Sequence, residues 1–390
     1  MDREQSLGDA PLPSQLNGNG KLVPSEQNAD LQEIRDLQAT KAQLQKDVEE
    51  LRSQYNSLQA IAHQRKLSKA KLGLGLILLS TLALSIHNVI VRITLGRQVN
   101  LFGLFSMGGL IQPTIGNSLL ILWLRMLVVV PLMMGIAGWI YPPAWRDLQQ
   151  LILSRDRRSL LSIIGSGAFL FLSQVLIYIA IAQIGPGVAV TILFMHPLVT
   201  VPLAWWLFRD RPTRLRIAVM SLILVGVILT AAPSLGTAKI GGGVIVAVLS
   251  GIAFALYLIL MQLGFRKAHP VPVSVVQFLT VLVLASVSLS LPVSLGVSVL
   301  PDARVGFFTG GVILGAFTLV GYLANNFGVR YLGAARASIA ASSGPVLTAV
   351  LAALIIRTKL DWVQIAGILL VTIGVTALSF ERMRKTAKSA

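Results

Sequence analysis

Long apolar runs separated by short polar breaks fill the chain from residue 72 to residue 380, and the stretch before residue 70 follows a different pattern. A helix needs about 20 apolar residues to cross the hydrocarbon core of a bilayer. Ten runs of that order are present, at 72–93, 119–141, 160–182, 188–208, 217–232, 241–263, 273–291, 307–327, 337–356 and 363–380. Ahead of them the apolar positions are sparse and periodic. Ile34, Leu37, Leu44, Val48, Leu51, Tyr55, Leu58 and Ala62 fall on alternating a and d positions of a heptad, and Lys41 breaks the seam at one a position. Residues 30–64 are therefore expected to form a cytoplasmic coiled-coil helix, which would hold two or more copies of the chain together; the alternative is a single solvated helix. Residues 1–29 are rich in Gly, Asn, Pro, Ser and Gln and are expected to be disordered.

The ten runs are not independent. Residues 178–230 match residues 326–378 without a gap, at an offset of 148. Gly185 meets Gly333, Ala189 meets Ala337, Pro197 meets Pro345 and Thr200 meets Thr348. Arg209 meets Arg357, and Gly226 and Val227 meet Gly374 and Val375. Apolar pairs arise by chance between membrane helices, whereas Gly, Pro, Thr and Arg pairs in one register do not. A long-period repeat in an apolar chain indicates a duplicated membrane unit. Five spans per copy turn the second copy upside down relative to the first. The expected fold is an all-α integral membrane protein of ten transmembrane helices in two inverted five-helix repeats, 70–232 and 241–380, with a basic cytoplasmic tail at 381–390.

Charge refines this picture. Only 13% of the 390 residues are charged, about half the share in a soluble domain. Ten of the sixteen acids lie in the first 70 residues. With the N-terminus inside, the inner flanks carry twenty Lys and Arg and the outer loops five. The positive-inside rule then puts both termini in the cytoplasm of a plasma membrane, the inner membrane in a bacterium. The net charge of +17 is confined to these flanks and gives no reason to expect nucleic acid as a partner. The N-terminus lacks the apolar core of a secretory signal and is too acidic for a transit peptide. With no cysteine in the chain, disulfides and thiolate metal sites are excluded.

Polar groups inside a span are costly and face a cavity or a neighbouring helix. The candidate substrate-binding set is His87, Asn88, Arg125, Gln174, Tyr178, His196, Tyr257, Tyr322, Ser342 and Ser343; Gln262, Gln277, Asn325 and Asn326 are further mid-span polar residues. The bland alternative for each is an interhelical hydrogen bond, worth ~0.6–2 kcal/mol. Pro197 and Pro345 are expected helix breaks that leave the carbonyls of Leu193 and Ala341 open to a ligand, with a simple packing kink as the alternative. Gly344 should leave room opposite His196. No Asp or Glu lies deep in a span, so His87 and His196 are the groups there that titrate near neutral pH. No metal cluster, phosphate loop or catalytic constellation is present; neither a cofactor nor enzymatic activity is expected.

Several motifs sit in a recognisable order. The first span ends Ala83-Leu84-Ser85-Ile86-His87-Asn88-Val89, and the second carries Trp123-Leu124-Arg125. Residues 180–187 lead into Met195-His196-Pro197-Leu198, and the fourth span closes on Phe208-Arg209-Asp210-Arg211. The second copy repeats this with Gly333-Ala334-Ala335, Gly344-Pro345 and Gly374-Val375. On these residues the region 72–380 resembles the drug/metabolite transporter superfamily in its EamA-domain form. Asp210 stands where that family has Glu, and the second copy has Thr358-Lys359 there. The loop at 97–117 is longer than in the family, and the coiled coil is an addition. The resemblance implies a multi-pass exporter or facilitator of a small metabolite, amino acid or drug-like solute, working by alternating access at a central cavity. The alternative is a membrane scaffold or sensor that recruits partners through the coiled coil. It would scatter the polar residues over the lipid-facing surface.

Overall fold

All ten apolar runs are helical in the computed structural model, which describes residues 24–95, 98–102, 104–153, 157–208, 213–234, 238–265, 268–292, 295–299, 303–332 and 334–389. Helix α1 (Pro24–Thr94) contains the first span, Lys71–Thr94. Spans two and three are α2 (Ile115–Ile140) and α4 (Arg157–Ile184), with the short α3 (Ala144–Leu153) between them. The fourth span is two helices, α5 (Pro186–Leu193) and α6 (Pro197–Phe208), and α7 (Arg214–Ala231) is the fifth. The second half runs α8 (Ala238–Phe265), α9 (Pro270–Ser290) and α10 (Arg304–Leu332). It ends with the broken pair α11 (Ala334–Ala341) and α12 (Gly344–Ile356), then α13 (Trp362–Ser389). Among the described residues, ten helices are long and apolar enough to cross a membrane. Both broken spans resume at or next to a proline, which cannot supply the amide hydrogen that would continue the helix.

Contacts divide the chain into an N-terminal unit ending at Ser68 and a body that begins at Lys69. In the N-terminal unit, helix starts at Pro24, six residues before the expected start at Asp30. Proline is well suited to a first helical turn, where its missing N–H costs nothing. Residues 1–23, expected to be disordered, lie outside the described residues. The apolar seam residues Ile34, Leu37, Leu44, Val48, Leu51 and Tyr55 are all exposed.

The long first loop holds a feature that the hydrophobic pattern did not announce. Strand β1 (Gln98–Leu101) pairs antiparallel with β2 (Phe105–Gly108), in a register that sets Val99 opposite Met107. The hairpin is tied to the ninth span: the Phe102 N–H donates to the Ile355 carbonyl at 2.8 Å. Polar caps start the helices on either side of the loops. The Thr114 hydroxyl accepts from the Asn117 N–H at the head of α2, and Thr213 accepts from Arg216 at the head of α7. At the end of α2, the Tyr141 ring stacks on His269 at 3.8 Å, and its hydroxyl donates to Asp147 at 2.8 Å. That bond to a carboxylate raises the Tyr141 pKa above its usual value.

Contacts between spans come in reciprocal pairs, as a pseudo-twofold axis requires. A Cβ added to Gly226 would stand 2.9 Å from Val371, and one on Gly374 would stand 2.5 Å from Ile223. Both positions of the first pair map onto the second at the offset of 148. Gly167 lies against Thr280 and the Gln277 carbonyl, while its repeat partner Gly315 lies against Val128 and the Arg125 carbonyl. The Ser250 hydroxyl donates to the Ser173 carbonyl at 2.8 Å, and the Ser80 hydroxyl donates to the Gly321 carbonyl at 2.7 Å. These pairs align spans three to five with eight to ten at 148, span two with seven at 152 (Arg125 to Gln277) and span one with six at 170 (Ser80 to Ser250). The difference of 18 between the last two offsets is the hairpin loop, which has no counterpart between α8 and α9.

Candidate functional site

Arg125, the eleventh residue of α2 and only 4% exposed, is the centre of a buried polar network. Its Nη1 donates to Gln174 Oε1 at 3.1 Å and to the Tyr178 hydroxyl. Gln174 and Tyr178 are four apart on α4 and so share one helix face. The same Nη1 lies 3.2 Å from His87 Nε2 on α1, and the Tyr178 hydroxyl lies 3.1 Å from that nitrogen. On the far side of the ring, His87 Nδ1 is 3.3 Å from Thr318 Oγ1 on α10. The Thr318 hydroxyl hydrogen is already given to the Leu314 carbonyl at 2.7 Å. Thr318 can therefore only accept from His87, which assigns the ring proton to Nδ1 and leaves Nε2 as an acceptor. Bonds run in one direction, from Arg125 to Tyr178, to His87, to Thr318, and tie helices of both repeats together. The guanidinium carbon lies 5.5 Å from the Tyr178 ring centroid, which adds a cation–π contact.

The pseudo-twofold places a second set of side chains at matching positions. At the offsets given by the backbone contacts, His87 corresponds to Tyr257, Arg125 to Gln277 and Gln174 to Tyr322. Gln277 donates to the Ser166 hydroxyl at 2.8 Å. Tyr322 packs edge-on against Phe278 with centroids 5.0 Å apart. It is within electrostatic reach of Arg125, Tyr178 and Tyr257.

The remaining candidates are placed differently. His196 occupies the turn between α5 and α6, between the rings of Phe194 and Phe254, and Phe254 packs on Tyr257. The break does not leave the Leu193 carbonyl open: the His196 N–H donates to it at 3.1 Å, in the tighter i to i−3 pattern. Ser342 and Ser343 serve the other break. Their hydroxyls donate to the carbonyls of Ile339 at 2.6 Å and Ala340 at 2.8 Å, and Ser342 also bonds to Thr376. Neither is in the Arg125 network. Asn88 is half-buried and its side chain has no hydrogen-bond partner among the described residues. The room expected beside Gly344 is taken by the Phe194 ring, whose Cζ would lie 3.2 Å from a Cβ there. Thr318 was not foreseen. A membrane-helix threonine that satisfies itself on its own i−4 carbonyl looks the same in sequence whether or not it also receives a bond from another helix.

The model of the EamA-like transporter family matches residues 101–232 and 241–380, well over half of the chain. The chain belongs to the EamA-like transporter family. Two uncharacterized transporters are similar to it. One is sll1319 of Synechocystis sp. (strain ATCC 27184 / PCC 6803 / Kazusa), 38% identical over 322 residues, which are 80% of this chain and 94% of that protein. The other is YyaM of Bacillus subtilis (strain 168), 26% identical over 227 residues, 56% of this chain and 71% of that protein. As an EamA-like protein of the drug/metabolite transporter superfamily, the chain is a multi-pass membrane transporter. The family match leaves out the first span and thus His87; Arg125, Gln174, Tyr178 and Thr318 fall inside it.

Proposed function

We propose that this transporter carries a small solute (a metabolite, amino acid or drug-like molecule) across the plasma membrane by alternating access between its two repeats, as an exporter or facilitator. The observation that carries the reading is the buried network, in which polar side chains from both repeats converge instead of facing lipid. A scaffold that had lost transport would have no use for that expensive convergence. In this reading Arg125, His87, Gln174 and Tyr178 form one wall of the site. Tyr257 and Tyr322 form the opposite wall, and the two broken spans beside His196 and Ser342–Ser343 supply the moving parts. The His196→Ala, Arg125→Ala double variant is expected to lose transport at near-normal membrane abundance, and Gln262→Ala to change it little. Export measured by metabolite profiling of cells with and without the protein is the test; full transport in the double variant sinks the assignment of the site.

Both termini are cytoplasmic in this reading, on the strength of the basic asymmetry. The absence of native cysteine makes this simple to check. Leu104 at the hairpin tip and Leu153 at the end of α3 are 77% and 81% exposed. In intact cells a membrane-impermeant maleimide should label Leu104→Cys and spare Leu153→Cys. The reverse pattern inverts the topology.

A further inference from the structure

We infer that the central site binds an anion against Arg125, so that the solute carried is an organic carboxylate or another species of net negative charge at neutral pH. This rests on the transport reading above and specifies its substrate class. Arg125 is a buried cation whose network contains no carboxylate: His87, Gln174, Tyr178 and Thr318 are all neutral acceptors. Among the described acids of the body, Asp147 is bonded to Tyr141, Glu381 to Thr213 and Arg216, and Asp361 is exposed at the head of α13. The network solvates only one edge of the guanidinium. All its bonds from Arg125 leave from Nη1, while Nε is buried without a partner. An unpaired charge in such a place is costly, and a guanidinium edge that presents two N–H groups is the geometry a carboxylate accepts in bidentate fashion.

The repeat provides an internal control on whether the fold needs that charge. At the matching position of the second repeat stands neutral Gln277, which holds its helix to α4 by a single bond to Ser166. Helix packing at this point is therefore satisfied by an amide, and the positive charge on the first copy has another use. The two hydroxyls opposite are also uncommitted. Tyr257 is 6% exposed and Tyr322 half-buried, and neither hydroxyl has a hydrogen-bond partner among the described residues. Tyr322 lies within electrostatic reach of both Arg125 and Tyr257. One cation, and two free hydroxyl donors linked to it electrostatically through Tyr322, make a donor set with no acceptor, and an anion supplies the acceptor.

Purified protein reconstituted in liposomes loaded with a small-molecule cell extract tests this. After dilution into blank buffer, the retained solutes are counted by mass spectrometry for wild type, Arg125→Gln, Arg125→Lys and empty liposomes. The glutamine mimics position 277, and the lysine keeps the charge without the bidentate edge. Solutes lost from wild-type liposomes should be anionic at neutral pH, with efflux at least ~30-fold slower in Arg125→Gln and partly retained in Arg125→Lys. Selective loss of neutral or cationic solutes, or unchanged anion efflux in Arg125→Gln, overturns the anion site while leaving the transporter reading intact. If no solute leaves, the transporter reading itself falls. Thermal unfolding in sodium chloride against sodium gluconate at equal ionic strength separates the sources. A rise in Tm with chloride that Arg125→Gln abolishes assigns the same donor set to an inorganic anion, and no anion dependence in either assay overturns it.

Discussion

Gly367→Val is expected to leave almost no folded protein in the membrane. A Cβ at this position would lie 2.3 Å from Thr230 Oγ1 and 2.6 Å from both the Gly226 carbonyl oxygen and the Thr230 nitrogen. Two of these three atoms are backbone. The third is the hydroxyl of a side chain already bonded to the Gly226 carbonyl at 2.8 Å. Nothing there can turn aside, so α13 would have to lift off α7. Without a hydrophobic drive between helices in lipid, close backbone approach through small residues is the main source of packing energy. Overpacking such a contact costs about 3 kcal/mol or more, roughly a hundredfold in the folded fraction. Gly75→Val and Gly135→Val are the controls, because a Cβ at either site meets nothing within 4 Å. Membrane abundance and thermal unfolding in detergent give the readout, and a Gly367→Val protein as abundant and as stable as the controls would refute the argument.

Leu44→Pro with Leu51→Pro is expected to abolish self-association of the chain while leaving transport in place. The seam of the N-terminal helix has β-branched Ile34 and Val48 at a positions and Leu37, Leu44 and Leu51 at d positions, a combination that favours two parallel strands. Lys41 at an a position costs stability but fixes register. Asp47 and Arg52 occupy g and e positions, which face each other between parallel partners. Each proline costs ~3 kcal/mol in a helix interior, and together they break the seam at its centre. Single-molecule photobleaching of the labelled full chain in nanodiscs is expected to show two steps for wild type and one for the double variant. One step for wild type would dispose of the coiled-coil pairing.

Much of the body is legible in the chain because lipid imposes simple rules. Apolar length marks each span, and the ungapped register from Tyr178 to Thr230 exposes the duplication. Within the network, His87, Arg125, Gln174 and Tyr178 are all readable as polar residues too expensive to leave in hydrocarbon. The matching of each to its symmetry partner is not. The hairpin adds 18 residues to one copy, which shifts the register of the first span, and the partners differ in chemistry: His against Tyr, Arg against Gln, Gln against Tyr. Only backbone contacts such as Ser80 with Gly321 and Ser250 with Ser173 restore the correspondence. The first helix break misleads for another reason. A proline predicts an orphaned carbonyl, but the turn at His196 folds back on the Leu193 carbonyl; at the second break the hydroxyls of Ser342 and Ser343 close on Ile339 and Ala340, not on Ala341.

The hairpin also makes the two faces of a nearly symmetric machine mechanically unequal. Phe102 is joined to the end of α12 through its N–H on the Ile355 carbonyl and its carbonyl to Arg357 Nη2. A rocking motion that tilts α12 must carry the hairpin with it or break those bonds. The matching tilt of α6 in the other copy drags no such weight, since the loop between α8 and α9 is too short to reach it. In the proposed alternating-access cycle the same swing would meet a different load in each direction, so the resting balance between the two faces would be tunable by shortening a surface loop without touching any residue of the proposed site.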